Sequence, residues 1–464
     1  VSNILDLVDQ TAFVGEQATG ATNVLQCVWV YKRAINIDGL RQFYQHLQRG
    51  RLSRRIERSP LPFGRHRWVS PRDQSDLEII EKPRPREEFD AWLGEQANTP
   101  LDIEQGPGWR LAVLPFTDGG AGVSFVISHC LIDGVGLCEA LADAASGRHD
   151  PISWPAVGSR RRWRALREDG RQTARDIPAI GRAVVAAARF VGRNRGGYRS
   201  GTQPPGAPRS PFVGPDEFIA LPSTTIFVDA DEWDARAHSL GGTSNALLAG
   251  LAARLAQRVG RVGPDGFASL AMPVNERADG DTRANAITGI DIMVDPAAAT
   301  ADLRGIRAAI KQALIRRQEM PDERLVLVPL APLLPRWLIR RVVGAALGGA
   351  TTSGSSNLGA INPAANRPDG TDADHFGMRS LFPRMTQATV QRACGLLGLL
   401  SGRVHGQVFI SVLAYQPGRP NSNSDLRREL SNAVSDFSLT ATIGWPCSEP
   451  VSRGASTSPR RCIA

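Results

Sequence analysis

The segment VSFVISHCLIDGVGL, residues 123–137, constrains the fold more than any other stretch of the chain. Val123, Phe125 and Ile127 alternate with Ser124, Val126 and Ser128, which is strand periodicity, and both sets suit burial. The run stops at His129. Asp133 and Gly134 then open a second apolar stretch, VGLCEALADAAS, that reads as a short helix. A strand that feeds a helix through a short polar turn is a mixed α and β unit, which argues against all-α and all-β folds. Gly134 supplies either a backbone geometry or a close approach that a Cβ would block. His129 sits off a strand end, where a cleft can reach it, and an imidazole can accept a proton near neutral pH. On the motif alone, a satisfied core histidine beside an Asp-Gly turn is the plainer alternative.

The same periodicities run through both halves. NVLQCVWVYK (residues 23–32) reads as a strand. DGLRQFYQHLQRG reads as a helix capped by Asp38, with Leu40, Phe43, Tyr44 and Leu47 on one face and Gly50 as its stop. A Pro- and Arg-rich connection crosses 58–87. GWRLAVLPF and AGVSFVIS form a strand pair joined through TDGG, and residues 159–200 read as one or two amphipathic surface helices. GTQPPGAPRSPFVGP, at 201–215, has the composition of a linker. Beyond it, TTIFVDA, GFASLAMPVNER, AITGIDIMVD and QVFISVLAYQ read as strands. GGTSNALLAGLAARLAQRVG is a helix capped by Thr243 or Ser244, and ADLRGIRAAIKQALIRRQ one with Leu303, Ile306, Ile310 and Leu314 on one face.

A chain of 464 residues, 42% hydrophobic, is large for one core. The expected architecture is therefore two α/β (α+β, two-layer) domains: residues 1–200 with the histidine motif, a linker at 201–215, a second domain at 216–446 and a flexible tail at 447–464.

The net charge of +9 comes mostly from arginine. No helix-turn-helix, zinc or aromatic-interleaved pattern accompanies it, so no nucleic-acid partner is expected. Six scattered cysteines without a CxxC pair argue against a disulfide framework or a metal site and suit a reducing cytoplasm. The first twenty residues hold Asp6, Asp9 and Glu16 and no basic residue, unlike a signal peptide. The terminal RRCIA is not a prenylation box, and no apolar run approaches the ~18 residues of a membrane span. The arginine-studded stretch 159–200 is a solvated basic face, or a contact for a carrier protein's acidic surface, coenzyme A phosphates or the anionic inner face of the plasma membrane.

SHCLIDG resembles the HxxxDG signature of the coenzyme A- and carrier-protein-dependent acyltransferases, which include condensation domains and chloramphenicol acetyltransferase-like enzymes. The likeness is greatest to the bacterial wax ester synthase/diacylglycerol acyltransferase branch. It extends through LDLVDQTAF, INIDGLRQFYQHLQRGRLSRRIE, GGTSNALLAGLAARL, MPVNERADGDTRAN, SSNLGAINP and ISVLAYQPG, in the family's order. The resemblance implies two chloramphenicol acetyltransferase-like domains packed as a pseudo-dimer with the active-site channel between them. It implies transfer of an acyl group from a coenzyme A or carrier-protein thioester to a hydroxyl or amine of a lipid or natural-product acceptor, with no resident cofactor and no metal. A catalytically silent acyl-carrier- or lipid-binding member of the same fold is the alternative. His129 matches the general base. Asp133 matches a structural position that points away from the base and pairs with an arginine, for which Arg277 is the candidate, and Gly134 keeps the turn. Ser128, Asn285, Ser356 and Asn357 are candidates to shape the cleft, the last three equally to fix loops. The chain departs from the branch where Ser128 replaces a first histidine and at Asn245-Ala246 and Ala414-Tyr415, which suits a specialised lipid or natural-product acceptor.

Overall fold

The structure, a computed structural model, describes residues 3–71, 77–148, 152–198, 217–278, 280–319, 326–339 and 351–445. The expected linker at 201–215 and tail at 447–464 lie outside the described residues.

The first sheet is organised around two strands with every residue buried, β1 (Val24–Tyr31) and β6 (Ala121–Ser128). They pair antiparallel, Val24 opposite Ser128 and Tyr31 opposite Ala121. Their β-branched and aromatic side chains pack on both faces. The polar Gln26 on β1 is satisfied: it donates to Ser124 Oγ and to Leu93 O, both at 2.9 Å, and accepts from Arg379. β5 (Trp109–Pro115) and the short β4 (Leu77–Ile79) extend the sheet on one side. A separate pair, β2 (Arg55–Glu57) and β3 (Arg67–Val69), structures part of the Pro- and Arg-rich connection. Helices α1 (Leu7–Thr19), α2 (Ile37–Leu47), α3 (Phe89–Asn98) and α4 (Gly134–Ala145) belong to this half. The cap of α2 is Asn36, whose side chain accepts from Gly39 N, rather than Asp38, which pairs with Arg41 instead.

The second sheet is built from β7 (Ser223–Asp229), β8 (Ala268–Asn275), β9 (Ile287–Val294), β10 (Ser353–Ala360), β12 (Leu396–Val404), β13 (Gln407–Tyr415) and β14 (Thr442–Ile443). These seven strands lie in the order β14-β7-β13-β12-β10-β8-β9. Helices α6 (Ala230–Ser239), α7 (Ser244–Val259), α8 (Arg304–Glu319) and α10 (Asn423–Asp436), with the short α9 (Gln387–Arg392), accompany it. Thr243 caps α7, accepting from Ala246 N. The hairpin β8–β9 holds the loop that carries Arg277 and Asn285.

The two halves do not divide as their sequence suggests. β11 (His375–Leu381) leaves the second half and becomes the edge of the first sheet, antiparallel to β1. The first core accordingly takes in Phe376, Met378, Ile361, Leu400, Phe409 and Trp445 from the second half. A strand exchanged this way makes the inter-lobe contact a shared core rather than a wet seam.

Residues 162–198 form one helix, α5 (Arg162–Tyr198), which continues through Pro178. Its inner face docks through buried Asp169, which accepts from Ser59 Oγ (2.6 Å), Arg160 (2.8 Å) and Arg67 (3.0 Å). Burial alone would raise that carboxyl, and the three donors hold it below its ordinary range.

His66 gives the first lobe an acid sensitivity. It is buried edge-on to Phe13, and its Nδ1 accepts from Ser59 N at 3.3 Å. Burial, reinforced by Arg58, pushes its pKa down to about 4. The unfolded chain binds this proton more readily than the folded one, so the group's contribution is complete above pH 6.5 and falls as pH drops toward 4. The expected loss is roughly 2–3 kcal/mol between pH 7 and pH 4.5. Urea melts at both pH values should show a smaller drop in His66→Gln, and equal drops in the two proteins would refute this account.

Candidate active site

β6 delivers its last residue, Ser128, to a tight turn. Ser128 is buried; its Oγ accepts from Cys130 N (3.2 Å) and its carbonyl from Leu131 N (3.0 Å). Ser128 therefore shapes the turn rather than lining a cleft. His129 follows, partly exposed, with its backbone N–H on Asn23 O at 2.9 Å. Asp133 caps α4, accepting from Gly136 N at 2.7 Å.

The other oxygen of Asp133 crosses to the second half. Arg277 donates to it at 2.6 Å and Ala286 N at 2.8 Å; both side chains are almost fully buried, 1% exposed for Asp133 and 2% for Arg277. The guanidinium also donates to Asp281 O, Arg283 O and Ala284 O at 3.0–3.2 Å, so the hairpin loop wraps it. Burying two charges is costly unless hydrogen bonds compensate it, and this network supplies them to both terminal nitrogens of Arg277, leaving its Nε without a partner. The described partner of the imidazole is Asn285, not Asp133.

Gly134 answers to a close approach rather than to an unusual backbone angle: a Cβ there would lie 2.8 Å from Leu358 Cδ2 of β10. Gly136 is a second such position. A Cβ at Gly136 would come within 2.9 Å of the Arg277 guanidinium, so this glycine makes the room the ion pair needs.

Asn285 stands opposite His129. Its Oδ1 lies 3.0 Å from His129 Nδ1, and its Nδ2 contacts His129 O and Asp9 Oδ1, both at 3.3 Å. An amide oxygen can only accept, so in the neutral ring this contact matches a proton on Nδ1 and a lone pair on Nε2. Asp9, 1% exposed on α1, also accepts from Ala284 N (2.9 Å) and Asn285 N (2.8 Å). Arg54 faces Asp9 as counter-charge, stacks 4.1 Å over the Trp68 ring and donates to Leu131 O and Thr282 O at 2.6 Å. Burial lowers Arg54 to about 9, which leaves it a cation at neutral pH. Burial raises the Asp9 carboxyl, against the pull of Ala284 N–H, Arg54 and Asn285 N–H.

Cys130, beside His129, is no nucleophile. Burial pushes its thiol well above the ordinary range, and Sγ donates to Glu16 at 3.1 Å.

Ser356 and Asn357 lie on β10. Ser356 is in register with Leu400, which belongs to the core shared with the first lobe, so Ser356 lies toward the lobe junction. Asn357 donates to Asn245 Oδ1 at 2.7 Å and accepts from Gly359 N at 2.8 Å, ties that fix the start of α7. The structure thus brings His129, Asp133, Gly134, Arg277 and Asn285 into one network and gives Asn357 a neighbouring structural task. Asp9, Arg54 and Gly136 were not singled out from sequence. Asp9 left one signal, a charged residue on the buried face of α1 with Phe13; the other two left none.

Two α/β lobes with a strand-end histidine at their junction and a buried Asp–Arg pair behind it make up the candidate site. Residues 29–217, the part bearing HxxxDG, match the family model described as wax ester synthase/diacylglycerol acyltransferase catalytic domain. The whole chain has the fold of condensation domains. The first condensation domain of the calcium-dependent antibiotic synthetase, in complex with a substrate analogue, superposes with a TM-score of 0.57 at 14% identity, over 94% of this chain and 96% of that one. Polyketide synthase associated protein 5 from Mycobacterium tuberculosis gives 0.54 at 14% identity, over 94% and 98%. A variant of the starter condensation domain of rhizomide synthetase, in complex with C8-CoA, gives 0.51 at 14% identity, over 95% of each chain. No curated protein matches the sequence. The family model covers less than half of the chain, and the structural likenesses, all at low identity, show the fold.

Proposed function

We propose that the protein forms an ester or amide by moving an acyl group from a coenzyme A or carrier-protein thioester to a hydroxyl or amine of a lipid or natural-product acceptor. The observation that carries this reading is the Nδ1–Asn285 hydrogen bond, which leaves Nε2 of a partly exposed histidine free as a base. Nε2 takes the proton of the acceptor as its oxygen or nitrogen adds to the thioester carbonyl. The tetrahedral adduct then collapses, the C–S bond breaks, and the departing thiolate receives that proton. No covalent enzyme intermediate and no resident cofactor enter these steps; the thioester is the substrate. The C8-CoA complex of one structural relative supports a coenzyme A thioester as donor.

The test is a mass-spectrometric screen of acyl-coenzyme A and acyl-carrier donors against alcohol and amine acceptors. Free thiol should appear only with an acceptor present, one equivalent per ester or amide formed. Donor binding without turnover across the panel would favour the silent binding member instead.

We further propose that α5 brings the enzyme to anionic lipid. Among the described residues no helix is long and apolar enough to cross a membrane. The outer face of α5 exposes Arg167, Arg171 and Arg175 beside Trp163 (83% exposed) and Ile177 (61%). Arg160 does not belong to that face, being tied to Asp169. The protein should sediment with phosphatidylglycerol vesicles and not with phosphatidylcholine ones. Exchanging Arg167, Arg171 and Arg175 for Glu should abolish it; sedimentation that survives the exchange contradicts the idea.

A further inference from the structure

We propose that Asp9 is a positioning residue that decides, through Asn285, which nitrogen of His129 carries the proton. This rests on the reading of His129 as the base and deepens it.

A side-chain amide can be turned end for end with little change of shape, and its two ends impose opposite tautomers on a facing imidazole. With Oδ1 toward the ring, Nδ1 is protonated and Nε2 is a base. With the amide NH2 toward the ring, Nδ1 must accept, the proton sits on Nε2, and the base is gone. What selects the end is the environment on the far side of Asn285. There the amide nitrogen meets two acceptors, His129 O and Asp9 Oδ1. The first belongs to the residue being oriented. Asp9 is the independent one, and it reaches the site from α1, 276 residues away in sequence.

Asp9 is itself built in. One oxygen accepts from Ala284 N, the other from Asn285 N and Asn285 Nδ2. Three N–H donors converge on two oxygens, with Arg54 behind them, an arrangement that matches a carboxylate. Asp133 holds the other side of the same loop: it accepts from Ala286 N, and its own N–H donates to Ala284 O at 2.9 Å. Residues 284–286 are thus gripped between two buried carboxylates of the first half. Asp133 fixes where the loop runs; of the two carboxylates, it is Asp9 that contacts the Asn285 side chain.

Asp9→Asn isolates this role at constant shape. The new amide has one acceptor end for two groups of donors. If its NH2 faces Asn285, the backbone N–H of Asn285 loses its acceptor, and the side chain turns over and drives the His129 proton to Nε2. If its NH2 faces Ala284 N–H, a buried donor is orphaned. The double variant D9N/N285D restores an acceptor-only group opposite Nδ1 and gives the introduced amide on α1 something to donate to.

The experiment uses the full chain with ring-15N histidine, whose protonated and unprotonated nitrogens differ in chemical shift. The His129 signal is identified by its loss in His129→Gln. Wild type should show the proton on Nδ1, D9N a population with it on Nε2, and D9N/N285D a return to Nδ1. With octanoyl-coenzyme A and 1-decanol as probes, D9N should lose roughly 10- to 100-fold in kcat with the donor KM little changed. A wild-type proton on Nε2, or a D9N protein that keeps the Nδ1 tautomer, overturns the proposal. Should D9N not fold, the double variant takes its place, and Nε2 protonation there overturns it equally. The outcome separates from that of the parent reading: turnover abolished in H129A with an unchanged D9N tautomer defeats only the role of Asp9.

Discussion

His129→Ala should lower acyl transfer by roughly 10²–10⁴-fold, the range that a positioned general base contributes, while the protein stays folded. The side chain is partly exposed, and its described hydrogen bond is the one from Nδ1 to Asn285. Losing that bond costs about 1 kcal/mol of stability, a small part of the total. Thioester binding should survive, because the substitution removes a proton acceptor and not a wall of the site. The measurement is thiol release with the best donor–acceptor pair from the screen, alongside a thermal melt. Turnover at the wild-type rate would end the assignment of His129 as base.

Asp133→Ala should do the opposite: its primary damage is to stability, about 3–5 kcal/mol from a buried cation left without its partner. Three supports go at once. Arg277 loses its carboxylate, Gly136 N–H loses its helix cap, and Ala286 N–H loses its acceptor. The loop that carries Asn285 is then held from one side, so activity should fall as well, as a consequence of displacement. Urea unfolding reads the first effect, and the ratio of activity to folded fraction reads the second. A midpoint equal to wild type would show that the ion pair does not hold the lobes together.

The two variants separate what the turn does from what the histidine does, and they show where the sequence was legible. The unit from β6 through His129 to α4 is readable because each of its signals is local. Alternation along 123–128 marks the strand, the Asp133-Gly134 pair marks the turn, and apolar spacing beyond Gly134 marks the helix. β10, with SGSSNLGA, has neither alternation nor β-branched weight, and β11 carries Gly377 and Arg379 mid-strand. Such strands are defined by the partners that satisfy their backbone, which no local pattern reports. Asn285 could be listed as a candidate but not assigned, since fixing a loop and facing a base require the same residue type.

By itself the sequence determined the alternation of strands and helices, the strand-end position of His129 and the Asp-Gly turn behind it, because those signals lie within a few residues of one another. Only the tertiary structure decided that β11 would complete the first sheet, that Gly136 would admit Arg277, and that Asp9, Asn285 and His129 would meet. The side-chain bonds from Asp133 to Arg277, His129 to Asn285 and Asp9 to Asn285 span 144 to 276 residues. Contacts at that range follow from how two lobes pack around a shared core, and packing has no period along the chain.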